Sequence, residues 1–176
     1  EMLAQFPFEI LGFHADNGSE YVNHRVAKML DKLRIEFTRS RPRHSNDNGL
    51  AETKNGAVVR KEFGYEHIHR RHAARFDTFC REYLNPFLNY HRPCLFATEL
   101  ADPKKPGRIK RVYRPRDVMT PLDKLASLPD AASFLRPGVT LLELQQLARA
   151  LTDVQAAEEL NEARQALFRR AATRTG

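Results

Sequence analysis

Two features that mark common protein classes are scarce in this sequence: cysteine and long apolar runs. The 176 residues include only Cys80 and Cys94, too few for a disulfide framework or a cysteine-rich zinc cluster, so a reducing cytoplasm is the expected compartment. No segment reaches the roughly 20 apolar residues that a membrane-spanning helix needs, and neither a signal peptide nor an internal repeat is visible. The sequence therefore argues against a disulfide-stabilised secreted module and against a helical membrane protein.

The sequence carries an excess of positive charge. It has 29 Lys and Arg residues against 22 Asp and Glu, which gives a net charge of +7 and a pI near 9.7. Cations that neutralise phosphates release condensed counterions, so a polyanion such as DNA is a natural partner. Many basic proteins bind nothing specific, however, and charge alone does not assign a partner.

The amino-terminal part shows the pattern of a strand, a helix and a second strand. Residues 8–14 are short, apolar and partly β-favouring, as in a largely buried strand. Residues 17–18 (Asn-Gly) end it, and Ser19 is a suitable helix N-cap. Residues 35–38 are expected to form a second strand, parallel to the first through a right-handed crossover. The apolar face of the intervening helix comprises Val22, Val26, Met29, Leu30 and Leu33.

Two carboxylates, Asp16 and Glu52, are placed where this pattern could bring them together. Asp16 follows the first strand, and open α/β sheets usually bind ligands at the carboxyl ends of their strands. Asn46 or Asn48 can cap the helix that carries Glu52 in its first turn. Paired carboxylates repel each other unless a cation lies between them, and hard oxygen ligands suit Mg²⁺ or Mn²⁺. The alternative is a pair of solvated surface charges, but the apolar strand before Asp16 and the small, polar surroundings of Glu52 favour a ligand site.

Three strings carry a resemblance to a known family. HADNGSEY contains Asp16, thirty-five residues separate it from Glu52, and NDNGLAETKNG surrounds Glu52. The string NYHRP follows at Asn89–Pro93. Together these strings resemble the DDE transposase and integrase family over roughly residues 1–100. Within that family the sequence is similar to bacterial insertion-sequence transposases with an integrase core.

The resemblance implies a fold, a metal site and a set of partners. The fold is α/β: a partial ribonuclease-H-like integrase core, followed by a basic linker and a helical carboxyl-terminal region. Asp16 and Glu52 are the expected catalytic and metal-ligating residues, sharing two Mg²⁺ (or Mn²⁺) ions with a third Asp upstream of this sequence. We expect the chain to be the carboxyl-terminal part of a longer protein and to be inactive alone. Double-stranded DNA, both element ends and target, is the implied partner of a cytoplasmic, nucleoid-associated homo-oligomer that does not bind membranes.

Basic and amide side chains around this site are the expected DNA contacts. A basic loop precedes the Glu52 helix, and such loops beside a metal site can hold a phosphodiester. In the absence of the neighbouring site, the loop would be interpreted as solvated. The predicted DNA-binding residues are Arg39, Arg41, Arg43 and Asn48 before Glu52, and Lys54, Asn55 and Arg60 after it.

The chain divides by composition into a core part (1–100), a basic linker (101–118) and a helical region (119–176). The linker contains three prolines, a glycine and a dense set of cations, with a short strand expected around Ile109 and Val112. We expect electrostatic contact with the DNA backbone, and a flexible tether with solvated charges is the alternative. The linker residues predicted to bind DNA are Lys104, Lys105, Arg108, Lys110 and Arg111.

Helices are expected on both sides of the linker. Residues 66–84 are predicted to form an amphipathic helix that residues 85–86 (Asn-Pro) interrupt, and the nearby His67, His69 and His72 are interpreted as surface histidines. In the tail, capping signals begin at Thr120, Thr140 and Thr152. The apolar faces of the tail helices are expected to pack on each other or on the core, with a dimer contact as the alternative. These faces comprise Leu141, Leu144, Leu147, Ala148 and Leu151, then Leu160, Ala163, Leu167 and Phe168.

The predicted function is DNA transposition by the parent protein, through metal-dependent strand cleavage and strand transfer. Two alternatives remain open at this level. One is a non-catalytic DNA-binding or assembly remnant of a decayed element. The other is a hydrolytic nuclease of the same fold, which would nick DNA but never join ends.

Overall fold

The chain has a mixed α/β architecture in two compact units. The computed structural model describes residues 5–15, 24–41, 53, 55–105 and 107–172. Contacts between residues group Glu1–Ile68 into one unit and His69–Gly176 into the other. The structure thus groups residues 69–100 with the carboxyl-terminal helices, whereas composition placed a domain boundary between residues 100 and 101.

The first unit contains a parallel strand pair joined by a helix. Strand β1 (Gly12–Ala15), helix α1 (His24–Lys32) and strand β2 (Glu36–Arg39) follow one another, and the strands pair in parallel from Gly12–Glu36 to Ala15–Arg39. The predicted order and parallel pairing are confirmed. Strand β1 begins at Gly12, four residues later than predicted. At this end of the ladder the Glu36 amide donates to the Leu11 carbonyl.

The turn between α1 and β2 explains how the short second strand is aligned. Arg34 has a φ of 55°, the left-handed conformation that commonly ends helices. Its amide donates to the Asp31 carbonyl, and the Ile35 amide donates to the Leu30 carbonyl at 2.9 Å. Leu30 and Ile35 are both buried, as in the apolar contact of a Schellman motif.

A second helix, α2, follows in the first unit. It consists of a π-helical segment Asn55–Arg60 and an α-helical segment Lys61–Phe63. It ends at Gly64, whose φ of 74° is one that a residue with a Cβ rarely adopts. The prediction that the helix runs to about position 61 is confirmed.

The second unit begins with a long helical run, α3, over residues 70–91. The run joins Arg70–His72, Ala73–Phe79, Cys80–Leu84 and Phe87–His91. Its predicted start at position 66 is wrong, because the extended His69 caps the helix by accepting the Arg71 amide on its side chain.

The predicted interruption of α3 at Asn85 and Pro86 is also wrong. Both residues have helical dihedral angles, and the Asn85 amide donates five residues back, to Cys80. This wider π-type turn relieves the clash that a proline ring makes with the carbonyl one turn earlier. The Asn89 side-chain amide also donates to the Asn85 carbonyl at 2.8 Å, which satisfies an acceptor near the proline.

Two nested antiparallel ladders form an arm between α3 and the last helices. Strands β3 (Cys94–Leu95) and β6 (Val118–Met119) pair at its base, while β4 (Thr98–Ala101) and β5 (Ile109–Val112) form a hairpin above them. The strand predicted around Ile109 is confirmed. The described residues of the basic segment therefore form paired strands, and the side chains of Lys104, Arg108 and Lys110 on it are exposed.

Three helices complete the second unit: α4 (Pro121–Ala126), α5 (Leu141–Arg149) and α6 (Asp153–Ala172). Their predicted caps are confirmed, since Thr120, Thr140 and Thr152 each accept the backbone amide three residues on. In each case the residue at that third position returns a side-chain oxygen to the threonine amide.

The core of the second unit lies between α4 and α5, and α6 covers α3. Leu122, Leu135 and Leu144 form a buried cluster. The rings of Phe76 on α3 and Phe168 on α6 meet edge to face at 5.8 Å. The tail helices therefore pack within their own unit, as one of the two alternatives predicted. Leu147 and Phe168 are exceptions to the predicted apolar faces, as they are 59% and 37% exposed.

Candidate functional site

The candidate site is the carboxyl edge of the β1–β2 pair. β1 ends at Ala15, which is buried and only 4% exposed, and Asp16 is the next residue in the sequence. Because the strands are parallel, β2 ends at the same edge, with Arg39 paired to Ala15. The Ser40 amide donates to the Ala15 carbonyl at 3.1 Å, so the residues that follow β2 pass directly beside the end of β1.

A polar network on this edge was not predicted from the sequence. The ring of His14 lies between two hydroxyls: Nδ1 is 2.9 Å from Thr38 Oγ1, and Nε2 is 3.2 Å from Ser40 Oγ. Ser40 is 4% exposed. The signal that could have revealed it is strand register, since His14 and Thr38 are paired residues and side chains of paired residues lie on one face. The network fixes both strands immediately before the predicted catalytic segment.

The structure describes some of the predicted site residues of the first unit. Arg39, Arg41 and Asn55 are exposed. The Arg60 guanidinium, also exposed, lies over the Tyr65 ring at 5.3 Å from its centroid, a cation–π contact that holds it against its own unit. Five predicted residues lie outside the described residues: Asp16, Arg43, Asn48, Glu52 and Lys54.

A second cluster of predicted residues lies on the β4–β5 hairpin. Backbone bonds link the described residues of the connection between the strands: the Asp102 amide donates to the Arg108 carbonyl at 2.8 Å, and the Lys105 amide to the Asp102 carbonyl at 3.2 Å. Asp102 Oδ1 accepts the Lys104 amide at 2.9 Å. Gly107 has a φ of 82°, which the turn requires and which favours glycine.

A cleft of about 530 Å³ lies at this turn; we call it the turn cleft. The cations in its wall differ in their partners. Arg111 Nε donates to Glu99 Oε1 across the hairpin at 3.1 Å, whereas no described carboxylate forms an ion pair with Lys104, Arg108 or Lys110. Lys105 is exposed but does not line the cleft. The residues lining the turn cleft are Asp102, Pro103, Lys104, Arg108, Ile109, Lys110 and Arg111.

The histidines near the start of α3 divide between surface and interior. His67 and His69 are exposed, but the interpretation of His72 as a surface histidine is wrong, since it is 6% exposed. Arg71 Nε donates to His72 Nε2 at 3.0 Å. Burial, followed by the charges of Arg71, Arg75 and His69, lowers the pKa of His72, so the neutral imidazole that accepts this bond is favoured. Within the described residues, no three His, Cys, Asp or Glu side chains are grouped to hold a metal ion.

A buried histidine links α3 to α6 within the second unit. His91 Nδ1 lies 3.0 Å from Asp153 Oδ1, with the His91 side chain 5% exposed and that of Asp153 72% exposed. His91 belongs to the NYHRP string, and nothing in the sequence connected it with a residue 62 positions later. Through this pair, the end of α3 that carries the NYHRP string contacts α6 of the same unit.

The Cys80 thiol lies in the same unit and is half-buried. Burial, and then the charge of Asp77, raises its pKa. A thiol with a raised pKa carries little thiolate at neutral pH and is a poor nucleophile. This position therefore gives no support to a cysteine-based covalent mechanism.

No helix in the described ranges has both the length and the apolar character needed to cross a membrane. No protein-family model matches the sequence, and no solved structure gives a significant match. The sequence is similar to the uncharacterized protein y4rM of Sinorhizobium fredii, with 43% identity over 60 residues. That alignment covers 34% of this chain and 17% of the relative, so the chain spans a small fraction of the protein that it matches.

Proposed function

We propose that this chain belongs to a longer parent protein that cuts and joins DNA by the chemistry of DDE transposases, with a ribonuclease-H-like core. The observation that carries the proposal is the parallel β1–α1–β2 unit, in which Asp16 directly follows the buried end of β1. Ligand sites of α/β sheets gather at such carboxyl edges. The type of reaction is inferred from the strings around Asp16 and Glu52, which resemble those of DDE transposases.

The chemistry of the donor set fits a divalent metal. Carboxylates are the preferred protein ligands of Mg²⁺ and Mn²⁺, and Asp16 and Glu52 would hold the ions together with the upstream Asp. When bound, two such ions activate the attacking oxygen and stabilise the leaving oxygen of a phosphodiester. The protein side chains bind and orient: Arg39 and Arg41, exposed at the same edge, would position the phosphodiester by charge.

The His14 network contributes rigidity to this edge. Its two hydroxyl contacts, to Thr38 and Ser40, tie the last residues of β1 to those of β2. A catalytic group is effective only when the elements that carry it hold it in place. In this proposal His14 would support the end of β1, the element that precedes Asp16 in the sequence, without itself touching the substrate.

Two other functions would use some of the same residues. A non-catalytic DNA-binding remnant is supported by the exposed cations of the hairpin, which need no metal chemistry. A hydrolytic nuclease would use the same carboxylates but would release ends without joining them. The three functions differ in their products, and an assay of products separates them.

The experiment uses the full-length parent with a duplex that ends in the DNA flanking its gene and a supercoiled plasmid as target. The proposal predicts plasmid products covalently joined to the duplex, formed with Mg²⁺ or Mn²⁺ and absent with EDTA. Nicked products without joining would identify the hydrolytic nuclease instead. DNA binding without either product would identify the remnant.

A further inference from the structure

We propose that a groove in the second unit, between the end of α3 and the start of α6, binds a basic, amphipathic segment of a partner protein. We call this groove the α3–α6 groove. Its volume is about 470 Å³, within the range of ligand-binding clefts. None of the residues assigned to metal or DNA lines it, so the inference goes beyond the proposed function and does not depend on it.

One wall of the groove is a stripe of exposed residues along α6. At 1.5 Å per residue, the stripe extends about 12 Å along the helix, and residues at these spacings share one side of it. Small molecules are usually enclosed by their sites, whereas a long, open wall suits a segment of polypeptide laid beside the helix. The residues of the stripe are Asp153, Val154, Ala157, Glu158 and Asn161.

The opposite wall comes from the end of α3 and is fixed in place. Phe87 and Pro93 line it, and the buried His91 contacts the first residue of α6, Asp153, at 3.0 Å. This contact ties the two walls together, so the width of the groove is set before a partner binds. A preformed site avoids part of the ordering entropy that binding otherwise costs.

Apolar side chains of both walls contribute to a single surface. Val154 is 66% exposed, whereas Ala156 and Leu160 of the same helix are buried. A single exposed apolar residue is ordinary on a protein surface, but Val154 lines the same groove as Phe87 and Pro93. An apolar side chain of a partner would remove all three from water, and burial of apolar area is the main favourable term in most protein association.

The charge of the stripe indicates which partner fits. Asp153 uses Oδ1 for His91, and neither its other oxygen nor the Glu158 carboxylate is paired with a cation of the described residues. Carboxylates on an open wall attract Lys or Arg and repel phosphates, which argues against DNA as the occupant. Arg92, half-buried, lies on the α3 side of the groove, so the basic face of the partner is expected against α6.

An apolar groove with a charged edge is the surface that binds amphipathic helices in many complexes. The partner segment is expected to place an apolar side chain between Phe87 and Val154. Its Lys or Arg side chains would lie against the carboxylates of Asp153 and Glu158. Neither a metal ion nor DNA is needed for this contact.

The test selects peptides from a phage-displayed random library on the 176-residue chain, in EDTA and without DNA. The enriched peptides are expected to carry apolar residues at helical spacing, with Lys or Arg beside them. A fluorescent synthetic copy of an enriched peptide should bind the double variant Val154→Gln, Glu158→Gln at least about tenfold more weakly than the wild type, since few contacts dominate such interfaces. Added salt should weaken binding to the wild type, because exposed ion pairs are screened.

Two exposed residues outside the groove provide matched controls. Glu159→Gln removes a carboxylate from another side of α6, and Leu142→Gln removes an apolar side chain that is 63% exposed on α5. Each should change the affinity for the peptide by less than about threefold, as expected away from an interface centre. A thermal melt checks the fold of every variant, and the single variants Val154→Gln and Glu158→Gln replace the double variant if it melts early.

Several results would overturn the inference. One is a folded double variant that binds the peptide as tightly as the wild type, and another is enrichment of acidic peptides or of none. A labelled DNA duplex that binds the double variant more weakly than the wild type would make DNA the occupant. A wild-type dimer that the double variant separates into monomers would make a second copy of this chain the occupant.

Discussion

Replacing Glu52 with Gln in the full-length parent is expected to lower the rate of strand transfer at least about a thousandfold while leaving DNA affinity nearly unchanged. The neutral amide keeps the size of the side chain but removes the charge that holds a divalent ion. Metal stabilisation of a phosphoryl transition state is worth several kcal/mol, and each 1.36 kcal/mol is a factor of ten in rate. Asp16→Asn should have an equally large effect for the same reason.

Exposed carboxylates outside the site are the matched controls for these two substitutions. Asp31 lies on α1, and Glu66 lies between α2 and α3; both are exposed. Asp31→Asn and Glu66→Gln should retain strand transfer within about twofold. Joining by Glu52→Gln at the wild-type rate would remove Glu52 from the site, and equal losses in all four variants would show that the effect is not specific to the metal ligands.

Leu144→Ala is expected to destabilise the second unit by about 2–5 kcal/mol, the range for truncating a buried leucine. Leu144 is 4% exposed and packs with Leu122 and Leu135, and Tyr90 of α3 packs against the same cluster. The cavity would therefore loosen the contacts between the end of α3 and the helices that follow the arm. Urea denaturation of the 176-residue chain measures the change as a lower midpoint with an unchanged slope.

Leu142→Ala is the control on the same helix. Leu142 is 63% exposed, and exposed substitutions usually change stability by less than about 0.5 kcal/mol. A loss of the same size in both variants would mean that Leu142 is as buried as Leu144 in solution. That result would contradict the packing described for α5.

Local signals in the sequence predicted local structure well. The three threonine caps form as predicted because each capping box needs only residues three positions apart. The β1–α1–β2 unit was also predictable, since apolar runs and a helical repeat of ordinary lengths leave few other arrangements. These elements form the edge at which β1 ends.

Structure that depends on distant residues was predicted less well. Pro86 looked like a helix breaker, but the π-type bond from Asn85 to Cys80 lets α3 continue, and side-chain periodicity carries no sign of such a turn. The link from His91 to Asp153 depends on packing between helices. His72 was taken for a surface residue because the basic residues around it dominate the local sequence.

The candidate site was predictable in its residue types and less so in their roles. Composition identified the cations of the hairpin. It could not show that Arg111 is paired with Glu99, because that ion pair depends on the register of β4 and β5. The contacts of His14 with Thr38 and Ser40 depend on register in the same way. The density of charge in the sequence locates a basic surface, whereas ion pairs within the fold decide which of its cations already have an acidic partner.

The most direct test of the account is to map which residues approach a bound divalent ion in the full-length parent. Fe²⁺ replaces Mg²⁺, and ascorbate with peroxide then generates hydroxyl radicals that cut the chain beside the metal. A shared site predicts cleavage near both Asp16 and Glu52, suppressed by excess Mg²⁺ and lost in Glu52→Gln. Cleavage near only one of the two carboxylates, or near neither, would contradict the claim that they hold the same metal site.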